Sequence, residues 1–241
     1  MAAIVFMART STPWALLPVT EFGCGSVTTC WRRFAEWASA GVFDRLQELL
    51  LDELGAAGLV DWSRVSVDSA SVRAVRGDLT GANPVDRAKP GCKWHLAVER
   101  AGMILSLLLG PANQPNQELF AALLDDVPMV ATPAGGRRCR PEKCHADKGY
   151  DEWHCRRYLA RRGIKVRIAR KGIEPPDRLG RHRWQAEQSI AWLFGCRRLR
   201  VRYERSSERF WAFELLACCR LAFNRYTDRT TAQPDRCLLA W

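Results

Sequence analysis

Lys143-Cys-His-Ala-Asp-Lys-Gly-Tyr-Asp151 is the stretch whose reading decides the fold. Small and apolar residues lead to one acidic residue, Asp147, and Lys148-Gly149 then breaks the run. Helical sequence follows from about Asp151. A carboxylate at the carboxyl end of a strand, ahead of a glycine turn, is where an α/β domain exposes a functional group. Asp-Lys-Gly also makes a good turn with no chemistry attached. The weight of the motif therefore rests on whether other carboxylates converge on it, and Asp68 and Glu187 stand in settings that allow this.

Moving outward, Arg64-Val-Ser-Val-Asp68 alternates as a strand closed by an acidic residue, with Val65 and Val67 on one face and Ser66 and Asp68 on the other. Residues 73–91 hold glycines, prolines and several basic side chains and read as a long basic loop. Trp94–Val98 and Ile104–Leu109 read as two strands, paired as a hairpin across Arg100-Ala-Gly102. Beyond Pro115 the pattern predicts a helix capped by Asn116, with Phe120, Leu123, Leu124 and Val127 in one stripe. After the Asp147 strand come a basic helix near Glu152–Arg162 and a strand through Ile164, Val166 and Ile168. The order strand, strand, strand, helix, strand, helix, strand defines a mixed α/β sheet.

At the flanks, residues 1–60 read as mainly helical, with Gly41 separating two amphipathic helices. Residues 61–226 form the sheet-bearing domain, and 227–241 form a polar tail. A helix is expected over about Arg181–Arg198. Within it Glu187, Ile190, Ala191 and Phe194 share one stripe, which places Glu187 at the start of the core-facing side. A carboxylate there must be paired, neutralised or bound to a cation, and Arg183, one turn earlier, is one available partner. The last helix, about Glu208–Tyr226, is apolar nearly all round and is expected to cover the sheet.

The net charge of +11 is not spread evenly. Residues 137–183 hold sixteen Lys/Arg against six Asp/Glu. That concentration surrounds Asp147 and the approach to Glu187, and it suits a polyanion such as nucleic acid. No apolar run reaches the roughly eighteen residues of a membrane span, and Met1–Arg9 lacks the basic start of a signal peptide, so the chain reads as cytoplasmic. The ten cysteines show no disulfide framework and read as reduced and mostly buried. Cys139, Cys144, His145, His154 and Cys155 have zinc-ligand residue types without the paired Cys-x-x-Cys spacing.

Two aspartates at strand ends and a glutamate on a later helix are hard oxygen donors of the kind that suits Mg²⁺ or Mn²⁺. Two such ions can serve both the attacking and the leaving oxygen of a phosphodiester displacement. Surrounding basic charge would hold a DNA backbone. There is no Walker-type phosphate loop, so no nucleotide cofactor is indicated, and the four histidines form no evident triad with a serine.

Four stretches then carry a resemblance: Val67-Asp-Ser-Ala-Ser-Val-Arg-Ala74, Leu79-Thr-Gly-Ala-Asn-Pro-Val-Asp-Arg87, His145-Ala-Asp-Lys-Gly-Tyr-Asp151 and Arg181-His-Arg-Trp-Gln-Ala-Glu187. In this order they resemble the motifs of bacterial insertion-sequence DDE transposases, closest to the insertion-sequence-five family of the insertion-sequence-four superfamily. The resemblance implies an RNase H-like fold and DNA cleavage and joining at the ends of the element. It implies two Mg²⁺ (or Mn²⁺) ions held by Asp68, Asp147 and Glu187 as catalytic carboxylates. Double-stranded DNA, both element ends and target, would be the partner of a homo-oligomer. Arg73, Arg76, Arg87, Lys89, Lys148 and Arg183 are the DNA-contact candidates. The superfamily's Tyr-x-x-Arg-x-x-x-Glu-x-x-x-x-x-x-Lys pattern is met at Arg183 and Glu187, but Gly180 stands at the tyrosine place and Phe194 at the lysine place. Such transposases usually carry a longer N-terminal helical region, and the chain is expected to begin inside it at about Met1–Arg9. The alternative is a DNA-binding remnant without cleavage activity.

Overall fold

Strand β1, Val65–Ala74, is the centre of the sheet, because β-branched and small residues alternate along it between two separate apolar clusters. The structure is a computed structural model and describes residues 1–173 and 184–232. On one side of β1 runs β2, Pro90–Glu99, antiparallel with Asp68 opposite Leu96, and beyond it the antiparallel β3, Ile104–Pro111. On the other side β1 pairs in parallel with β4, Lys143–Ala146, and β4 pairs in parallel with β5, Lys165–Ile168. The long strands thus lie in the order β3-β2-β1-β4-β5, with only β2 antiparallel to its sheet-mates β1 and β3. This is the mixed α/β, RNase H-like sheet that the motif order implies.

Helices cover both faces. Helices α1 (Ala2–Thr10), α2 (Val27–Ser39) and α3 (Val42–Ala56) precede the sheet, and Gly41, at φ +66°, makes the left-handed turn between α2 and α3. One cluster joins Ile4, Phe34 and Phe43 to Trp94 and Leu96 of β2 and to the later helices α6 (Trp184–Gly195) and α7 (Ser207–Ala232). On the opposite face Val65, Val67, Cys144, Ala146 and Ile168 pack with Leu51 and Leu54 of α3, α4 (Phe120–Asp125) and α5 (Trp153–Arg161).

Several expectations need correction. Asp68 does not close its strand, which runs on to Ala74, so Arg73 is a strand residue and not a loop residue. Asn116 does not cap a helix: its side chain accepts from Lys93 Nζ at 2.9 Å, and α4 begins only at Phe120 after a 3-10 turn over Asn116–Glu118. Glu187 is not on the core-facing side of α6. Gln185, Ala186, Ser189 and Leu193 are the buried residues, and Glu187 is exposed. The Ser189 hydroxyl lies 2.8 Å from both Gly102 O and Gln185 O and shares its one proton between them, so a small polar residue lets the helix approach closely where a larger apolar one would not. Helix α7 continues through residues 227–232, beyond the expected start of a tail. The nine described cysteines are free, seven of them buried, and Cys144 and Cys155 pack inside the second cluster.

Helix α7 carries a fully buried carboxyl group. Trp94 Nε1 donates to Glu214 Oε1 at 2.6 Å, and Oε2 has no hydrogen-bond partner among the described residues. Burial pushes this carboxyl up to about 8, against the opposing pull of the Trp94 hydrogen bond and the nearby Arg202 charge. The folded state therefore binds a proton that the unfolded chain releases from near pH 4.5 upward. The stability this provides is fully present at low pH and is lost progressively as pH rises to about 8. Replacing the carboxyl by an amide keeps the acceptor for Trp94 and removes the titration. Thermal melts at several pH values should show Glu214→Gln gaining stability over the parent as pH rises from 4.5 to 8; parallel curves would contradict the assignment.

Candidate active site

Two residues of β1–β4 register set the geometry. Val65 pairs with Cys144 and Ser66 with His145, so the same register carried forward brings Asp68 beside Asp147. Parallel neighbours lie about 4.8 Å apart. Alternation fixes the side: Val67 and Ala146 point into the α4–α5 cluster, so the next residues, Asp68 and Asp147, point to the face where α6 packs. Asp68 is 8% exposed, and its Oδ1 accepts from Ser69 N–H at 2.8 Å. Asp147 sits just past β4, and its Oδ1 accepts from Gly149 N–H at 3.0 Å, capping the 3-10 turn Lys148–Tyr150. Glycine suits this position, because a Cβ at 149 would stand 3.0 Å from that same carboxylate oxygen and push the side chain aside.

Beneath the pair lies Tyr150, 1% exposed. Its phenol is buried and finds no hydrogen-bond partner among the described residues, although the Ser69 side chain lies beside it. Burial, then the charge of Asp68, then more weakly that of Asp147, hold it well above the usual phenol range, so it stays protonated. The phenol thus lies in the field of both aspartates. Tyr150 belongs to the motif quoted above, yet no periodicity shows that its ring turns under the site; only the 3-10 turn after β4 does. His95, opposite Ser69, is buried with both nitrogens unpartnered among the described residues, and burial with the nearby Lys93 charge lowers it to about 4.

Glu187 stands in the first turn of α6, exposed to solvent. The middle of that helix is tied through Ser189 to Gly102, at the β2–β3 turn, whereas Asp68 lies beside Leu96, further along β2 from that turn. The described residues contain no group of three Asp, Glu, His or Cys side chains placed to hold one metal ion. The register therefore brings Asp68 and Asp147 together, and among the described residues Glu187 does not complete a three-residue ligand group with them. Two carboxylates side by side on one face of the sheet fit a hard divalent cation as a partial ligand set.

The DNA-contact candidates fall in different places. Arg73 is exposed near the end of β1, and Arg76, Arg87 and Lys89 are exposed on the loop over residues 75–89. Lys89 is 3.6 Å from Asp86. Lys148 is half-buried in the turn after Asp147. Arg183 lies outside the described residues. The basic loop is anchored, and its anchor was not expected. Arg202 is fully buried and donates to Asp78 O, to Asp78 Oδ1 at 2.6 Å, and to the carbonyls of Glu204 and Arg205. Asp78 also accepts from the Ser207 N–H and hydroxyl, so it caps α7 from a distant part of the chain. Burial would raise its carboxyl, but the hydrogen bonds from Ser207 and Arg202 outweigh this and hold it below the usual carboxylate range.

Comparison with known proteins identifies the family. Residues 55–222 match the family described as transposase DDE domain, and residues 1–47 match that described as putative transposase of IS4/5 family. The chain belongs to the DDE transposases of the insertion-sequence IS4/5 type. A putative transposase for insertion sequence element IS402 from Burkholderia cepacia is 39% identical over 145 residues, which are 60% of this chain and 69% of that protein. An uncharacterized 16.2 kDa protein of insertion element IS402 from the same organism is 51% identical over 85 residues, 35% of this chain and 57% of that one. Among solved structures, the Mos1 mariner paired-end complex with Mn aligns at 14% identity and a TM-score of 0.31, over 76% of this chain and 59% of that one. The Mos1 transposase paired-end complex with left transposon end aligns at 11% and 0.27, over 90% and 77%. At these scores no claim rests on either structure. Among the described residues no helix is long and apolar enough to cross a membrane.

The Asp78 anchor gives a direct test of how the basic loop is held. Asp78→Ala removes the cap of α7 and one ligand of a buried guanidinium. It should cost at least the roughly 1 kcal/mol of a lost helix cap. Limited trypsinolysis should then cut first after Arg76 or Arg87, while a cleavage pattern identical to the parent's would show that Asp78 does not hold the loop.

Proposed function

We propose that the chain cleaves DNA at the ends of its insertion sequence and joins the freed strand to target DNA, with Asp68, Asp147 and Glu187 as the catalytic carboxylates. The observation that carries this is the β1–β4 register, which sets the first two carboxylates side by side on the face that α6 covers. Mg²⁺ or Mn²⁺ held there, as one ion or two, would supply charge for the attacking and leaving oxygens of the phosphodiester. Water attacks the phosphorus at the element end, the bond to the 3′ oxygen breaks, and that oxygen leaves as a 3′-hydroxyl. In the second step the 3′-hydroxyl attacks a target phosphodiester, forming one P–O bond as another breaks.

The chain's own residues prepare this site. Gly149 N–H fixes Asp147 Oδ1, and Ser69 N–H fixes Asp68 Oδ1, so both carboxylates are held in place on the sheet. Glu187, in the first turn of α6, would complete the set, although among the described residues no three such side chains form a ligand group. A second reading, binding of double-stranded DNA without cleavage, draws on the absence of a complete ligand group among the described residues. A homo-oligomer on DNA, acting in the cytoplasm, completes the proposal, since joining requires two element ends in one assembly.

A nicking assay on labelled duplex DNA carrying the element's end sequences, with Mg²⁺ or Mn²⁺ added, tests the proposal. The parent chain should nick the end. Asp68→Asn and Asp147→Asn should each abolish nicking, by at least about a thousand-fold by analogy with other removed catalytic groups, while retaining DNA binding. Binding without nicking in the parent would establish the second reading, and loss of binding in both variants would make the aspartates structural.

A further inference from the structure

Register and alternation assign a second group of side chains to the face that carries the aspartates. Lys143 pairs with Lys165 and His145 with Arg167, while Cys144, Ala146 and Ile168 point into the α4–α5 cluster. Lys143, His145, Lys165 and Arg167 therefore share the face of Asp68 and Asp147. Arg167 stands one strand across and two residues down from Asp147, so their Cα atoms are about 8 Å apart by ordinary sheet spacings. Lys165 continues the row a further two residues from the aspartates. Both basic residues are exposed.

Among the described residues their charges are not used in ion pairs. Arg156 pairs with Asp151, Arg162 with Asp125 and Lys171 with Glu152. Among the described residues Lys165 has no carboxylate partner, and the Arg167 guanidinium donates only to the neighbouring Val166 carbonyl. β5 is the edge of the sheet, where charged side chains also discourage pairing with another strand. Edge protection would be served by a charge on either face, whereas here both charges point to the face of the catalytic pair. α6 packs chiefly on β1 and β2.

We infer that the open β4–β5 face, through Lys165 and Arg167, is the track that holds the phosphate backbone of the DNA duplex flanking the cleaved bond. This rests on reading Asp68 and Asp147 as a DNA-cleaving site, and it adds contacts that no motif in the sequence supplies. The residues lead away from the aspartates along one strand, so they meet phosphates beside the reacting one and not the reacting phosphate itself.

The test is the salt dependence of binding to a labelled linear DNA duplex. The parent, Lys165→Ala/Arg167→Ala, and a charge-matched control, Arg157→Ala/Arg161→Ala, are compared. Arg157 and Arg161 are exposed on α5 and carry the same charge on a different surface. Each lost phosphate contact lowers the slope of log K against log salt by about 0.9. The Lys165/Arg167 variant should lose about 1.8 from the slope with its melting temperature unchanged, and the control should lose little. With a parent that binds, a slope unchanged in the Lys165→Ala/Arg167→Ala variant, or equal losses in both variants, would overturn the track. A parent that binds no duplex would instead bring down the reading of the site as DNA-cleaving, and the track with it.

Discussion

Parallel pairing of β1 with β4 is the constraint on which the site depends. Side chains on a strand alternate with period two, so a slip of one residue would turn Asp147 into the apolar cluster while Asp68 stayed on the other face. Val65, Val67, Cys144 and Ala146 forbid that slip, because each is fully or almost fully buried against α4 and α5. The hydrophobic pattern thus does chemical positioning: burying four small apolar side chains on one face obliges two carboxylates to appear together on the other. Gly149 completes the arrangement by leaving room for the Asp147 carboxylate to fold back onto a backbone N–H.

The same face divides into two regions. Over β1 and β2 it is covered by α6, whose approach is set by Ala186, Ser189 and Leu193. Over β4 and β5 it presents Lys143, His145, Lys165 and Arg167. The aspartates stand where the two regions meet. A phosphodiester seated there would have carboxylates at its reacting centre and cationic side chains along its flank, which is the charge order a metal-assisted phosphoryl transfer needs. Near the far end of β1, where Arg202 pairs with Ala74, Arg202 and Asp78 tie the basic loop to the start of α7, so that loop is a held structure and not a free arm.

Much of this was legible in the sequence. The alternation in Arg64–Asp68, the glycine break after Asp147 and the strand-helix order were enough for the mixed sheet and the two aspartates. Glu187 was misread because its stripe was chosen by apolar residues, Ile190 and Phe194, whereas the buried side of α6 is lined by Gln185 and Ser189, whose polar groups can be satisfied locally. The length of β1 was underestimated because Ser69 to Ser71 lack the bulky β-branched residues that mark a strand, although pairing with β2 sustains it to Ala74. Tyr150, Glu214 and the Arg202–Asp78 anchor were not legible at all. Each depends on partners far away in sequence, Trp94 with Glu214 and Asp78 with Arg202 among them, and no local pattern encodes such contacts.

The most direct test of the central claim is where a divalent ion binds. A crystal of the protein soaked in Mn²⁺ should show anomalous density touching both Asp68 and Asp147, with the first turn of α6 moved to bring Glu187 against it, and Asp147→Asn should lose that density. Anomalous density elsewhere on the molecule, or none in crystals that bind the DNA ends, would contradict the assignment of the β1–β4 pair as the catalytic centre.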